Sequence, residues 1–405
     1  MEANQALKDV KVLDFTWVVA GPIMTKYLAD YGATVLRVES RDKPCFLRTS
    51  GPFKDNIADL DHSGYFAFFN SNKYSISVRI DHPKGREVIR RLVLWADVIA
   101  ESFRPGVLSK LRLDYASVCK IKPDIIMMSC SGQGQTGPAA AVPIAGNWLV
   151  ALSGFPSFSG WPCGAPSQPF GPYTDFIGPR FGAVAILAAL RYKRLTGKGQ
   201  HIDLSQLEAG IQFLAPAFLD YGVNGRQPVR RGNADPAAAP HGVYPCAEGR
   251  WCAIAVCSDE EWRGFCLATG RLDLGRDPRF ATFNARKQHE DELNRLVADW
   301  TAGFSPEEVM RMLQEAHVAA GVVQSSKDLC EDRQLEQRRH FWKLEHKAMG
   351  PYDHLGQAAA LSRTPARAER PAPCLGEHTH YVCEQILHMT DEEFVGLLEE
   401  GVFEI

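Results

Sequence analysis

Over its first 131 residues the chain alternates strand-like and helix-like segments, and this constrains the fold more than any other feature. Val10–Phe15 (VKVLDF) and Thr34–Glu39 (TVLRVE) are apolar runs of strand length. Between them Met24–Asp30 is a helical stretch that Gly32 ends, after a break at Ala20-Gly21-Pro22. Asp81-His82-Pro83 opens a second helix, with proline in the first turn and Val88, Ile89, Leu92 and Trp95 continuing the apolar face. Asp97–Glu101 and Ile125–Ser129 add two further strands. Strands separated by helices pair in parallel, because parallel neighbours need crossover connections. The expected class is α/β, a parallel sheet with helices on both faces and right-handed crossovers.

A chain of 405 residues exceeds the usual size of one core, so two domains are expected. Residues 154–172 are rich in Gly, Pro, Ser and aromatics and read as a long functional loop. Phe181–Lys193 and Leu204–Leu219 read as helices. Turn signals near Asn224-Gly225 and Gly232-Asn233 mark a boundary, so 1–222 and 223–335 are separate regions. The second region reads as α+β. It has a hairpin of Val243–Cys246 and Trp251–Val256, helices near 259–268, 287–301 and 306–316, and a strand at Ala320–Gln324. Residues 336–405 contain an extended crossing segment, Pro365–Pro373, and helices near 379–388 and 391–400. Thr390 caps the last of these, with Glu393 at its third position.

The totals exclude several functions. A net charge of −3 gives no electrostatic reason to bind nucleic acid or an anionic membrane. The longest apolar run, Phe181–Leu190, is half of the roughly 20 residues that span a bilayer. The first residues lack the basic and apolar regions of a signal peptide, so a cytoplasmic location is expected. Eleven scattered cysteines with no Cys-x-x-Cys pair argue against a metal site. Glu39 ends the second strand, where a ribose-binding acid would sit, but the first turn has no G-x-G-x-x-G and Pro22 lacks a donor for pyrophosphate. P-loop, His-Glu-x-x-His and Gly-x-Ser-x-Gly motifs are absent.

An ordered set of segments resembles the class III CoA transferases, the family of formyl-CoA:oxalate and carnitine CoA transferases. The segments are Val12-Leu-Asp-Phe-Thr16, Ala20-Gly21-Pro22, Leu28-Ala-Asp-Tyr-Gly32 with Val35-Leu-Arg-Val-Glu39, Asn70-Ser-Asn-Lys73 and Ser102-Phe-Arg-Pro-Gly-Val-Leu108. Ser131-Gly-Gln-Gly-Gln-Thr-Gly-Pro138, Tyr173-Thr-Asp175, Gly197-Lys-Gly-Gln-His-Ile-Asp203 and Leu375-Gly-Glu-His-Thr379 continue it. The resemblance implies a Rossmann-like large domain formed by both chain ends, with 336–405 returning to it, and a smaller α+β domain. It also implies an interlocked dimer whose active sites lie between the large domain of one chain and the small domain of the other. The implied partners are an acyl-CoA and a carboxylic acid, with CoA thioester as substrate and no tightly bound cofactor or metal. The second chain is an identical copy or a paralogue.

By the resemblance, Asp175 is the nucleophile. Its carboxylate attacks a thioester to give a mixed anhydride and CoA thiolate, and the thiolate returns to leave an aspartyl-CoA thioester. Donor, enzyme and acceptor are all carboxylates, so the steps are nearly balanced and group-transfer potential is kept. Taken alone, Asp175 also reads as a helix N-cap before the apolar run that follows. Val19 and Ala20, and the turn containing Ser131 and Gln133, are candidate oxyanion and CoA contacts. CoA phosphates need fixed cations. Lys73 and Arg104 match the family's CoA contacts, with Asn72 in the same motif as Lys73, and Arg37 is a third candidate cation. Relatives often carry Arg directly after the Val-Glu of the second strand; here Ser40 stands there and Arg41 follows. Pro236-Ala-Ala-Ala-Pro240 stands near the place of the glycine run found in oxalate-type members, which argues against oxalate or formate as substrate.

Two rival functions remain. An α-methylacyl-CoA racemase would need a histidine where Ala145-Gly146-Asn147 precedes Leu152-Ser153-Gly154, and none is there. A non-catalytic subunit would be expected to lose Asp175, and the residue is present. Six aromatics, Trp148, Phe155, Phe158, Trp161, Phe170 and Tyr173, either line an acyl pocket or pack the loop. The surroundings of Thr16–Ala20 and Gly171–Asp175 look closest to benzylsuccinate CoA transferases, two-subunit enzymes of anaerobic toluene breakdown. This resemblance implies succinyl-CoA as donor and an aryl dicarboxylate as acceptor.

Overall fold

Lys11–Asp14 (β1), Thr34–Glu39 (β2), Tyr74–Ser77 (β3), Val98–Glu101 (β4), Ile126–Ser131 (β5) and His201–Ser205 (β6) form one parallel sheet. Its order is β3-β2-β1-β4-β5-β6. The structure, a computed structural model, describes residues 5–169 and 171–404.

Successive residues of each strand face opposite sides, and both sides are covered. Leu13, Leu36 and Ile76 point into a core with Val88, Leu92, Val382 and Phe403. Val12, Val35 and Met128 point the other way, onto Met24, Leu28, Ile186 and Ala189. The second set belongs to the helices Ala20–Asp30 and Tyr173–Thr196.

Two strands of this sheet escaped the sequence reading. β3 buries Ser75 and Ser77, polar residues that break the apolar pattern but bond to Glu39 and Thr379. β6 is a half-exposed edge strand, and the single helix expected over Leu204–Leu219 does not form. Ser205 ends β6 and caps the helix Gln206–Ile211 by accepting a bond from the Glu208 amide at 3.2 Å. The helix Ala215–Asn224, with Pro216 in its first turn, is a separate element. Ala20-Gly21-Pro22 begins a helix rather than breaking the chain, since Pro22 falls in the first turn, where its missing N–H is not needed.

The described chain divides into two compact units. One contains the residues through Phe155, Pro169–Asn224 and everything from Gln334 on; the other contains Pro156–Gln168 and Gly225–Arg333. In the second unit His241–Pro245, Trp251–Ala255 and Ala319–Val322 form an antiparallel sheet. Helices Asp259–Ala268, Glu290–Thr301 and Pro306–Glu315 close a core around Trp262, Phe265, Leu293 and Val309. The first unit also has a hairpin, Phe341–His346 with Gly350–Leu355, that was not expected. Thr390 caps Asp391–Glu399, accepting from the Glu393 amide at 3.2 Å. Among the described residues no helix is long and apolar enough to cross a membrane.

Candidate active site

The strand order reverses between β1 and β4, and in sheets of this kind ligands bind in the crevice beyond the strand ends at that point. A cavity of about 180 Å³ lies there. Trp17, Val18, Val19 and Ala20 enter it after β1, and Ser102, Phe103 and Arg104 after β4. Cys130 and Ser131 end β5 in its wall, followed by Gly132 and Gln133, and Gly146, Leu149, Asp175 and Gln206 also line it.

Local chemistry shapes each edge. The Ser102 hydroxyl bonds both the Trp17 amide (2.8 Å) and the Trp17 carbonyl (3.0 Å), fastening the end of β1 to the end of β4. Val18 then turns the chain with φ +61°, a left-handed conformation that costs a β-branched residue energy. The turn brings Val19 and Ala20 to the cavity at the start of the Ala20–Asp30 helix, which has no side-chain cap. Its leading amides therefore lack intrahelical partners and are available as donors.

Asp175 is the third residue of the Tyr173–Thr196 helix, not its N-cap. Pro172 holds that place, and the Asp175 amide bonds the Pro172 carbonyl at 2.9 Å. The side chain lies in the cavity wall, 7% exposed, and among the described residues no donor reaches its carboxylate. Burial alone pushes its pKa up to about 7. Once ionised, such a desolvated carboxylate is a stronger base and nucleophile than a solvated one.

Of the other residues singled out in the sequence, Val19, Ala20, Arg104, Ser131 and Gln133 line this cavity with Asp175. Arg104 is exposed at the cavity wall, has no ion-pair partner among the described residues, and is the only cation in the lining. Four candidates lie elsewhere. Lys73 is fully buried: its ammonium contacts Asp14, the Pro22 carbonyl and Asn70, each at 3.0 Å. Arg37 is fully buried as well, bonded to the Thr16 carbonyl at 2.9 Å and paired with Glu39 at 3.3 Å. Asn72 joins Asp30 to the backbone of Arg367 and Glu369. Arg41 is exposed, with its amide on Glu404, and is not in the cavity lining. Lys73 and Asn72 thus spend their polar groups inside the protein, Arg37 is enclosed there beside Glu39 and the Thr16 carbonyl, and none of the three is in the cavity lining. Glu39 is likewise consumed by Arg48 and Arg37, which overcome the effect of burial and hold its pKa down to about 2.

Among the described residues, the aromatics of 148–173 do not line the cavity. Trp148 and Trp161 are exposed, Phe155 packs edge-on against Tyr173, and Phe170 lies outside the described residues. The wall's aromatics are Trp17 and Phe103, in edge contact at 5.5 Å. Gly146 and Gln206 were missed, because nothing local in the sequence marks either. Gly146 faces Asp175 across 29 residues of chain, and Gln206 was read as part of a plain helix.

The model of CoA-transferase family III matches residues 7–379. The chain belongs to the family III CoA-transferases. This transferase is 30% identical over 396 residues to the succinyl-CoA–D-citramalate CoA-transferase of Chloroflexus aurantiacus, covering 98% of each chain. It is 33% identical over 382 residues to the succinate–glutarate CoA-transferase of Agrobacterium fabrum, covering 94% of this chain and 95% of the relative. Among solved structures, a CAIB/BAIF family protein from Brucella suis superposes with a TM-score of 0.88 at 30% identity. That match covers 95% of this chain and 100% of the other. CoA thioesters are the substrates of such a transferase.

Proposed function

We propose that the enzyme transfers CoA from succinyl-CoA to a dicarboxylic acid through a thioester on Asp175. The observation that carries this reading is the buried carboxylate of Asp175 at the switch point of the sheet, with no donor of its own among the described residues. Asp175 attacks the thioester carbonyl, forming a C–O bond and expelling CoA thiolate. The thiolate attacks the aspartyl carbonyl of the anhydride and releases succinate, leaving aspartyl-CoA. The acceptor carboxylate then runs the two steps in reverse. The amides of Val19 and Ala20 supply donors for the tetrahedral oxyanions, Ser131 and Gln133 flank the thioester, and Arg104 meets a CoA phosphate. The burial of Asp175, only 7% exposed, limits the access of water to the anhydride.

Relatives named for citramalate, glutarate and malate support a dicarboxylate acceptor. The Trp17–Phe103 pair in the wall supports an aryl-substituted one such as benzylsuccinate. The lining contains no histidine among the described residues, which disfavours a racemase. Helix Ala215–Asn224 buries none of its residues and exposes Phe218, Leu219 and Val223, as expected of a face covered by a second chain, identical or paralogous.

The test is a panel of acids, benzylsuccinate, glutarate, citramalate and malate among them, each incubated with succinyl-CoA and read by mass spectrometry. The reading predicts a new CoA thioester of at least one diacid together with free succinate. No new thioester from any diacid, with the purified chain alone or with a paralogous partner, would overturn it.

A further inference from the structure

Of the four serine and glutamine side chains in the cavity lining, two are already committed. Ser102 is tied to Trp17, and the Gln133 amide donates to the Ala139 carbonyl at 3.2 Å. Two are not. The Ser131 hydroxyl and the Gln206 side-chain oxygen are buried and lack any hydrogen-bond partner among the described residues. Both residues are over nine-tenths buried and line the same cavity as Asp175. An unpaired buried polar atom is destabilising, because it gives up its bonds to water without replacement, so two on one wall call for an explanation.

The fold holds the pair side by side. Ser131 ends β5 opposite Ser205, the last residue of β6, and Gln206 follows immediately. The Leu207 amide bonds the Gly132 carbonyl at 2.9 Å, fixing the register between these two turns. Gln206 also lies against the nucleophile's own helix: a Cβ added at Gly178 would stand 3.2 Å from Gln206 Cγ. Gly178 lies three residues after Asp175, one face along that helix.

The chemistry says what such a pair can receive. Acid, anhydride and thioester present only acceptor oxygens at the reacting carbon. A hydroxyl and a primary amide both donate, and a half-turn of the Gln206 amide places its NH₂ where its oxygen stands. We infer that Ser131 and Gln206 form a neutral two-donor clamp for the acyl oxygen of the acid beside Asp175, resting on the reading of Asp175 as nucleophile. The clamp recognises the carboxylate or carbonyl being transferred, not the CoA moiety. Its neutrality matters, because a cation there would pair with Asp175 and lower its basicity.

The test uses the full-length enzyme with Gln206→Met, which keeps the packing against Gly178, Ser131→Ala, the double variant and Gln206→Glu. The expected result for Gln206→Met is a loss of about 10- to 100-fold in kcat/KM for the acid, as for a hydrogen bond to a charged group. Affinity for free CoA, measured by calorimetry, stays unchanged. The double variant falls short of the product of the single losses, because both donors serve one oxygen. Gln206→Glu sets an anion beside Asp175 and moves the lower pH limb of kcat/KM upward, a response that lost packing alone would not give. The inference is overturned if folded Gln206→Met keeps kcat/KM within about twofold, or if CoA affinity falls as far as turnover. Absence of an Asp175 adduct in the parent enzyme would instead sink the reading on which it rests.

Discussion

A Cβ added at Gly146 would stand 2.6 Å from Asp175 Oδ2 and closer still to Pro172, so this position leaves room for the carboxylate only while it carries no side chain. Gly146 thus decides whether Asp175 can lie in the wall of the cavity. Gly146→Ala should displace that carboxylate and cost at least about 100-fold in kcat, in line with a nucleophile misplaced by an ångström. CoA affinity and the far-ultraviolet circular dichroism should hardly change. Steady-state kinetics alongside calorimetric CoA titration would check this.

The buried carboxylate also fixes a pH dependence. Attack requires the ionised form, and burial raises the pKa from 3.8 to about 7. The kcat/KM profile should therefore climb with unit slope below about pH 7 and level off above it. A plateau extending down to pH 5 would contradict the environment described for Asp175.

Stability follows the same group with the opposite trend. The folded-state pKa lies above the unfolded value, so the native state binds the proton more tightly between about pH 4 and 7. Stability from this group is full below pH 4 and is lost as the pH rises through 7. Asp175→Asn removes the penalty and should be more stable than the parent by about 4 kcal/mol at pH 8, at 1.36 kcal/mol per pKa unit. The advantage should vanish at pH 4. Urea denaturation at the two pH values measures it.

Lys73 and Arg104 should part company. Lys73 is the buried partner of Asp14, whose pKa burial raises but Lys73, Arg37 and the Thr16 and Thr25 hydroxyls bring below the ordinary value. Lys73→Met should lower stability by about 3 kcal/mol, since breaking a buried pair strands a charge, while KM for the acyl-CoA stays within about twofold. Arg104→Gln should leave stability nearly unchanged. It should raise that KM by about tenfold and flatten its salt dependence, as loss of a charge-assisted phosphate contact requires.

These contrasts show what local sequence reveals. VKVLDF and TVLRVE announced buried parallel strands because apolar content there is the cause of burial. Val19, Ala20, Arg104 and Ser131 fall together because they sit at or just after the ends of β1, β4 and β5, and Asp175 joins them from the first turn of the Tyr173–Thr196 helix. Strands β3 and β6 were hidden: Ser75 and Ser77 are buried through hydrogen bonds rather than hydrophobicity, and β6 is a half-exposed edge. Lys73 looks like any surface cation in one dimension, since its partner Asp14 becomes a neighbour only when the sheet forms, and Arg37, beside Glu39 on the same strand, is buried because that strand lies inside the sheet. Gly146 and Gln206 acquire meaning only when the Tyr173–Thr196 helix is laid across them.

Intact-protein mass spectrometry after brief exposure to succinyl-CoA without acceptor tests the central claim most directly. Covalent turnover on Asp175 predicts a species heavier by one CoA less one water. Peptide mapping should place it on Asp175, acceptor acid should discharge it, and Asp175→Ala should lack it. A parent enzyme that exchanges CoA while its mass never changes, or an Asp175→Ala variant that still turns over at the parental rate, would contradict the account.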